Sequence, residues 1–234
     1  MSNDDFVTAI AALYGAADDD DLCAPFLLAL PVTGAAITTL STPFAPEIVC
    51  ASDPVATRLA DIQIDLGEGP AWEAMRTQRP VSEPDVQTAT SERWPIALLA
   101  MSEIEVGSVF AFPLRVGTFW IGSVDLYDTT AGPLAARTVQ DAIALTDAAA
   151  GQVLRRALDS ADERNDGRTD IGHQSRREVY QASGMIAAQT GVGATDALLL
   201  LRAYAFTDGR SVRDLAHEVI AGTVDFTDRT DTAP

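Results

Sequence analysis

Three residues near the carboxyl end of the chain stand at a spacing that places them on one side of a helix. Arg177, Gln181 and Gly184 occupy positions i, i+4 and i+7 in a stretch whose apolar residues follow helical periodicity. A guanidinium group offers planar donors that suit phosphate or carboxylate oxygens, and a carboxamide can pair with a base edge. Glycine costs a helix about 0.8–1 kcal/mol relative to alanine, so a close backbone approach or tight packing would have to offset Gly184.

Further cations and an aromatic ring follow along the next two predicted helices. Arg202 and Tyr204 would supply a planar cation and a stacking platform, and His217 could add a cation in the third helix. The full set of candidate contacts is Arg176, Arg177, Gln181, Ser183, Gly184, Arg202, Tyr204, Arg210 and Arg213. The alternative is purely structural: Gly184 packs against a helix, Tyr204 covers the edge of a bundle, and the arginines pair with Glu178, Asp196, Asp214 and Glu218.

The sequence lacks the residue patterns of an active site. It contains no lysine, which excludes a Schiff base and a phosphate-loop lysine. His173 and His217 lie outside any metal-ligand spacing and beside no nucleophile. Glu68 and Glu73, near a glycine turn, are explained better by helix capping and first-turn charge than by an acid–base pair. We therefore expect no catalytic residues, no metal and no cofactor.

Charge is distributed unevenly over the 234 residues, whose formal net charge is −18. Residues 1–164 contain 9 arginines and 24 acidic residues, whereas residues 173–226 contain 5 arginines and 6 acidic residues. An acidic protein repels nucleic acid and anionic membranes on average. If any region approaches a polyanion, it is therefore the carboxyl-terminal one.

Two cysteines, Cys23 and Cys50, lie on separate apolar segments. The amino terminus does not resemble a signal peptide, and no apolar run approaches the length of a membrane span. We therefore expect a cytoplasmic protein without a membrane partner. In a reducing compartment the two thiols are expected to be small core residues rather than a redox pair.

The order of predicted elements is typical of an α+β protein with an antiparallel sheet. Asp53 and Pro54 predict the cap and first residue of one helix. Two long strands separated only by Val116-Gly117 predict a tight hairpin. The four predicted strands with clear patterns are Ala35–Ser41, Glu47–Ser52, Val106–Arg115 and Thr118–Asp128.

A long helix over residues 133–160 completes a first domain that spans residues 1–160. Polar residues 161–172 are predicted to form a linker, residues 173–226 a helical domain, and residues 227–234 a disordered tail. The long helix has an apolar stripe that would suit a homodimer contact, formed by Val139, Ile143, Leu145, Ala149, Val153, Leu154 and Leu158.

The stretches "LGEGPAWEAMRTQRPVSEPD" and "VGSVFAFPLRVGTFWIGSVDLY" make the first domain resemble the GAF domains of actinobacterial regulators. This resemblance implies a five- or six-stranded antiparallel sheet with helices on both faces. It also implies a small-ligand pocket beside the sheet, and dimerisation through flanking helices. The pocket candidates are Trp94, Leu98, Met101, Phe110 and Phe112, although each can equally be plain core.

The stretch "RREVYQASGMIAAQTGVGATDALLLLRAYAF", continued to "GRSVRDLAHEVI", resembles the ANTAR domain, a three-helix RNA-binding module of transcription antiterminators. Ser183 stands where the family has a lysine. Tyr204 stands where it commonly has an alanine, unless the register shifts to Ala203 or Ala205. The positions that match are Arg176, Val179, Ala182, Gly184, Ala197, Leu201 and Arg213–Ala216.

Together the two resemblances imply a transcription antitermination regulator. The GAF-like domain would sense a small molecule or a protein signal, and the bundle would bind an RNA hairpin as part of a homodimer. One alternative is a small-ligand- or partner-sensing protein-interaction regulator whose degenerate ANTAR module no longer binds RNA. Another is a DNA-binding helix-turn-helix, since "VRDLAHEVI" resembles one of its helices, although no recognition helix follows it.

Overall fold

Contacts between Cα atoms divide the chain into two units, Met1–Asp162 and Glu163–Pro234. The computed structural model describes residues 3–17, 21–41, 44, 46–89, 93–165, 171–208, 210 and 212–227, without the side chains of residues 3, 160–177, 195, 206 and 213. The described residues form nine helices and one five-stranded sheet. Residues 228–234 of the predicted disordered tail lie outside the described residues.

The sheet of the first unit is antiparallel throughout, with the strand order β2-β1-β5-β4-β3. Its strands are β1 (Gly34–Thr39), β2 (Glu47–Ala51), β3 (Val81–Glu83), β4 (Ser108–Val116) and β5 (Phe119–Asp128). The predicted hairpin is confirmed, but its turn lies one residue later than the sequence predicts. Val116 pairs with Phe119, so Gly117 and Thr118 form the turn. Gly117 takes a φ of 61°, which suits glycine.

Of the helices in the described residues, five lie wholly in the first unit, one begins there and ends at Asn165, and three lie in the second unit. The side chain of Asp53 accepts a hydrogen bond from the Ala56 N–H at 2.8 Å, which confirms the predicted cap before Pro54. The helices are α1 (Asn3–Gly15), α2 (Ala24–Ala29), α3 (Pro54–Leu66), α4 (Pro70–Thr77), α5 (Pro95–Ser102), α6 (Ala136–Asn165), α7 (Ile171–Thr190), α8 (Ala194–Thr207) and α9 (Val212–Ile220).

Each face of the sheet is covered by its own layer of helices. Phe110 and Phe112 of β4 belong to a core cluster that includes residues of α1, α2 and α6. Val109 and Ala111 belong to a second cluster that includes residues of α3 and α5. Neighbouring residues of a strand point to opposite faces, so one strand supplies both clusters.

The long helix α6 uses its apolar stripe within its own unit. Leu145, Ala149 and Val153 are fully buried in the first cluster, whereas Ile143 and Leu158 are exposed. The predicted homodimer contact along this stripe is therefore largely covered by the chain itself. The helix also continues to Asn165 and α7 begins at Ile171, so both ends of the predicted 161–172 linker are helical.

Cys23 and Cys50 are joined by a disulfide, contrary to the expectation of two separate core thiols. Their Cα atoms lie 6.2 Å apart, within the range that a disulfide can span. The pairing arises from the fold: α2 contacts β1, and β2 lies beside β1. Residues 27 positions apart come together in this way, which the periodicity of either segment does not indicate.

The second unit packs α7, α8 and α9 around a core of ten buried apolar residues among those described. Gly191 has a φ of 74°, and its N–H donates to the Ala187 carbonyl at 2.9 Å. This left-handed glycine ends α7 where the sequence predicts it. Phe226, which follows α9, is only 1% exposed and belongs to the same core.

Candidate nucleic-acid interface and sensor core

The outer face of α7 carries the residues whose spacing first suggested a site. Gln181 and Gly184 are exposed. Tyr180, which directly precedes Gln181, is 64% exposed. Arg177 lies one turn before Gln181 in the same helix, so its position falls on this face. The α7 face, defined by Arg177, Tyr180, Gln181 and Gly184, therefore combines a cation position, a ring, an amide and a bare backbone.

Gly184 leaves open space on this face. A Cβ atom built at this position meets no atom of the described residues within 4 Å. The alternative in which Gly184 permits tight packing against another helix of the bundle is therefore wrong for the part of the unit that is described. The glycine lowers helix stability without a packing gain inside the unit, which leaves room for a partner to approach the backbone.

Ser183 does not lie on the α7 face. Its side chain is buried, and its hydroxyl donates to the Val179 carbonyl oxygen at 2.8 Å. The prediction of Ser183 as an RNA contact is therefore wrong. The helix turns this position towards the boundary of the core, about 100° away from Gly184.

The arginines of the unit have different surroundings. Arg210 forms a hydrogen-bonded ion pair with Glu218. The hydrogen bond to Glu218 is the main reason that the pKa of Arg210 is raised. His217 Nδ1 lies 3.9 Å from a carboxylate oxygen of Glu178. Arg202 is half-buried and has an interaction partner of its own. The structural alternative of paired arginines is thus confirmed for Arg210.

Three of the predicted cations lie on helical backbone in α7 and α9. The side chains of Arg176, Arg177 and Arg213 lie outside the described residues, although their backbone is helical. Arg176 is adjacent to Arg177 and falls to the side of the α7 face.

Tyr204 packs inside the unit and is not a free platform. Its ring meets the ring of Phe226 edge to face, with centroids 4.9 Å apart. The Phe226 N–H donates to Gln189 Oε1 at 3.2 Å, which holds the segment after α9 against α7. Tyr180 is the exposed aromatic residue that sequence reasoning missed. Its signal was its place one turn before Gly184.

The five pocket candidates of the first unit do not line one pocket. Trp94, Leu98 and Met101 are buried in the cluster beneath α5, whereas Phe110 and Phe112 point to the other face of the sheet. Because the side chains of β4 alternate between the two faces of the sheet, and Phe110 and Phe112 lie on the face opposite to the other three, all five residues cannot line a single ligand pocket. The candidates that the structure brings together are the three from residues 94–101.

Two glutamates hold α5 over this cluster. Glu68 accepts hydrogen bonds from the N–H groups of Ile96 and Ala97, each at 2.8 Å, at the start of the helix. Glu73 accepts from Trp94 Nε1 at 2.5 Å and forms an ion pair with Arg93 at 3.1 Å. Both carboxylates thus have structural partners, in agreement with the capping interpretation, although Glu68 caps α5.

Beneath α3 the same sheet face contains a buried polar group. Asp125 accepts hydrogen bonds from Gln63 Nε2 at 2.7 Å and from the Ser123 hydroxyl at 2.9 Å. Burial raises the pKa of Asp125 to about 6, against the opposing effect of these two hydrogen bonds. The Thr38 hydroxyl, also buried, has no hydrogen-bond partner among the described residues.

Metal-ligand groupings are rare in the described part of the chain. Asp21, Cys23 and Cys50 form the one group of three whose ligand atoms lie within 4.8 Å of one another. Its two sulfur atoms are bonded to each other in this structure. None of the described helices combines the length and apolar character needed to cross a bilayer.

The family model of the ANTAR domain matches residues 173–220, which begin in the first turn of α7 and end with α9. Residues 173–220 are an ANTAR domain. Phe226 lies beyond this ANTAR domain but packs into its core. No curated protein matches the chain.

The first unit has the fold of a GAF domain. It is similar to the GAF domain of a phosphoenolpyruvate-protein phosphotransferase from Acinetobacter, with a TM-score of 0.51 and 15% identity over 66% of this chain and 95% of that chain. It is also similar to a GAF domain region from Geobacter sulfurreducens PCA, with a TM-score of 0.48 and 18% identity over 63% and 97%. A third similar structure is a type II free methionine-R-sulfoxide reductase from Thermoplasma acidophilum. Its TM-score is 0.43 and its sequence identity 15%, over 66% of this chain and 96% of that chain.

The chain thus combines a unit with a GAF fold and, after it, residues that match the ANTAR domain. This combination agrees with the general class that the sequence predicts. The α7 face lies within the matched residues, and its glycine is open to a partner.

Proposed function

We propose that the protein is a cytoplasmic, non-catalytic transcription antitermination regulator that binds an RNA hairpin through its ANTAR domain. The observation that carries the proposal is the α7 face. A cation position, an exposed tyrosine, an exposed glutamine and an unobstructed glycine lie together within the residues that match the family. Hairpin RNA is recognised through phosphate contacts and through splayed bases that stack on rings and pair with amides.

On this proposal, Arg177 contacts phosphate, Tyr180 stacks on a base, and Gln181 pairs with a base edge. Gly184 allows the backbone to approach the RNA. Binding at the hairpin would compete with formation of a terminator. Arg202, Arg210 and Arg213 would then add charge around the contact, with Arg210 weakened by its pairing to Glu218.

A homodimer belongs to the proposal because two modest RNA surfaces on one particle gain from effective concentration. The buried part of the α6 stripe does not supply the contact. Exposed apolar residues on α1, including Val7 and Tyr14, offer another place for it. Sedimentation of the full chain would measure its oligomeric state.

The alternative is a partner-sensing protein-interaction regulator whose ANTAR domain does not bind RNA. The serine at position 183 and the Arg210–Glu218 ion pair favour it, since both reduce the charge available to phosphate. The same α7 face would then contact a protein.

Fluorescence polarisation separates these two functions. The full chain is titrated against labelled paired-hairpin RNAs at 50 and 200 mM salt. Two to four phosphate contacts predict a roughly 10- to 100-fold loss of affinity over this range. Absence of salt-dependent binding at micromolar protein would refute RNA binding and leave the protein-interaction function.

A further inference from the structure

The disulfide ties a helical layer to the edge of the GAF-fold sheet. Cys23 caps α2 and is fully buried, whereas Cys50 lies half-buried in β2, the strand at one edge. The bond therefore links the α1–α2 layer to a strand whose other side has no neighbour among the described strands. Cys50 is the less buried of the two cysteines and lies in an edge strand, so it is the side from which a small thiol would approach the bond.

The same layer holds the middle of α6. Three α6 side chains donate to backbone carbonyl oxygens in the last turn of α1 or directly after it: Gln152 to Tyr14 at 3.1 Å, Arg155 to Ala16 at 3.0 Å and Arg156 to Ala17 at 2.9 Å. Cations are favourable at this end of a helix because the unpaired carbonyls carry partial negative charge. We call these three contacts the α1–α6 clasp.

Packing joins the disulfide to the clasp. Cys23 and Leu13 belong to the same buried cluster as Ala149 and Val153 of α6. Release of Cys23 from β2 would therefore loosen a layer that both packs on α6 and accepts its hydrogen bonds. Helix α6 leads directly to the segment before the ANTAR domain.

We propose that Cys23 and Cys50 are a reversible thiol–disulfide switch that controls how firmly the α1–α2 layer holds α6 through the α1–α6 clasp. The proposal rests on the proposed regulatory function to the extent that it names the signal sensed, the thiol redox state. In a compartment that keeps thiols reduced, disulfides are typically transient and redox-sensing.

Reduction proceeds by exchange with a dithiol. One thiolate of the dithiol attacks Cys50 Sγ, the S–S bond breaks, and Cys23 leaves as a thiolate that takes up a proton. The second thiol of the dithiol then displaces Cys50 from the mixed disulfide, which yields two protein thiols and an oxidised dithiol. Oxidation is the reverse exchange with a small-molecule disulfide, which is itself reduced to two thiols.

Asp21 modulates this step. Its carboxylate accepts the Cys23 N–H at 2.8 Å, and its oxygen lies within 4.8 Å of both sulfur atoms. A negative charge at this distance opposes the thiolate that must leave. Coulomb repulsion across 4.8 Å of water predicts reduction about fourfold faster in Asp21→Asn, which keeps the hydrogen-bond acceptor.

Hydrogen exchange of the full chain tests the switch without RNA. The protein is equilibrated in buffers of increasing dithiol-to-disulfide ratio, alkylated to count thiols, and compared by exchange mass spectrometry. We expect both cysteines to cycle together and α6 residues 148–157 to exchange at least about tenfold faster when reduced, while α8, in the second unit, is unchanged. Thiols that stay reduced throughout, or equal α6 exchange in both states, would overturn the proposal.

Cys50→Ser is the matched variant. It should exchange at the reduced rate in every buffer, and the redox buffer should no longer change α6. If this variant does not fold, the comparison of oxidised and reduced wild-type protein decides alone. A failure of RNA binding leaves these readouts unaffected, so the two proposals fail independently.

Discussion

Gln63 and Asp125 are joined by a 2.7 Å hydrogen bond beneath α3, and both side chains are at most 1% exposed. The carbonyl oxygen of the same amide accepts the Ala71 N–H at the start of α4. One buried amide therefore connects the central strand β5 with the first turn of α4. Because the amide carries no charge, its hydrogen bond only partly offsets the burial of an ionised Asp125, and most of the cost of ionising this group remains.

This arrangement predicts an unusual pH dependence of stability. The pKa of Asp125 is about 6 in the folded chain and 3.8 when unfolded, so its protonated form stabilises the fold below pH 4. The contribution is lost as pH rises from about 4 to 6 and amounts to on the order of 2–3 kcal/mol. Asp125→Asn should match the wild type near pH 4 and exceed its free energy of unfolding at pH 7.5.

Urea unfolding at several pH values measures this difference. Glu103→Gln, at an exposed carboxylate, is the control and should follow the wild-type curve. An Asp125→Asn variant that is less stable than the wild type at pH 7.5 would contradict the account.

Gly184→Ala should separate stability from binding. The added methyl group meets open space in the unit, so helix α7 gains about 0.8–1 kcal/mol. The same methyl group would obstruct an RNA backbone that approaches the α7 face, and hairpin affinity should fall. Gly151→Ala is the matched control, since Gly151 is also an exposed helical glycine with open space around it. It should stabilise α6 and leave RNA affinity unchanged.

Phe226 predicts that the folded module extends past the end of the family match. Replacing this 1%-exposed ring by alanine should cost about 3–5 kcal/mol of unfolding free energy in the ANTAR unit. Hydrogen exchange of residues 178–190 in increasing urea reports on this unit. Phe119→Ala removes a ring that is 73% exposed and should change stability by less than about 0.5 kcal/mol. Equal effects of the two substitutions would argue against a buried role for Phe226.

Reduction of the disulfide should destabilise the GAF-fold unit in addition to loosening α6. The disulfide closes a loop between residues that are 27 positions apart. In the chain-entropy account, opening this loop lowers the free energy of unfolding by about 3–4 kcal/mol. Urea midpoints with and without a dithiol measure it, and Cys23→Ser should no longer respond to the dithiol. A midpoint that is the same in both conditions would show that the bond does not constrain the unfolded chain.

The sequence predicts features that depend on local chemistry. Asp53 caps α3, Gly191 ends α7, and the long strands pair through a tight turn because each outcome depends on neighbouring residues. Arg177, Gln181 and Gly184 of the α7 face follow from helix spacing in the same way, whereas Tyr180 was not predicted. Gly184 is open, as a partner surface requires.

Other features depend on contacts between distant segments. Ser183 lies next to both the core and the exposed face of α7, and only the packing of neighbouring helices decides that it is buried. The alternation of β4 separates Phe110 from Val109, but which face α5 covers is a property of the whole sheet. The Cys23–Cys50 bond and the burial of Phe226 are likewise set by tertiary contacts.

The most direct test of the central claim is hairpin binding by the full chain with Arg177→Ala. We expect salt-dependent binding by the wild type, and a variant whose affinity ratio between 50 and 200 mM salt is about threefold smaller because one phosphate contact is lost. Arg79→Ala, which removes an exposed arginine of the GAF-fold unit, should bind as the wild type does. Identical affinity and salt dependence for Arg177→Ala and the wild type would contradict an RNA-binding α7 face.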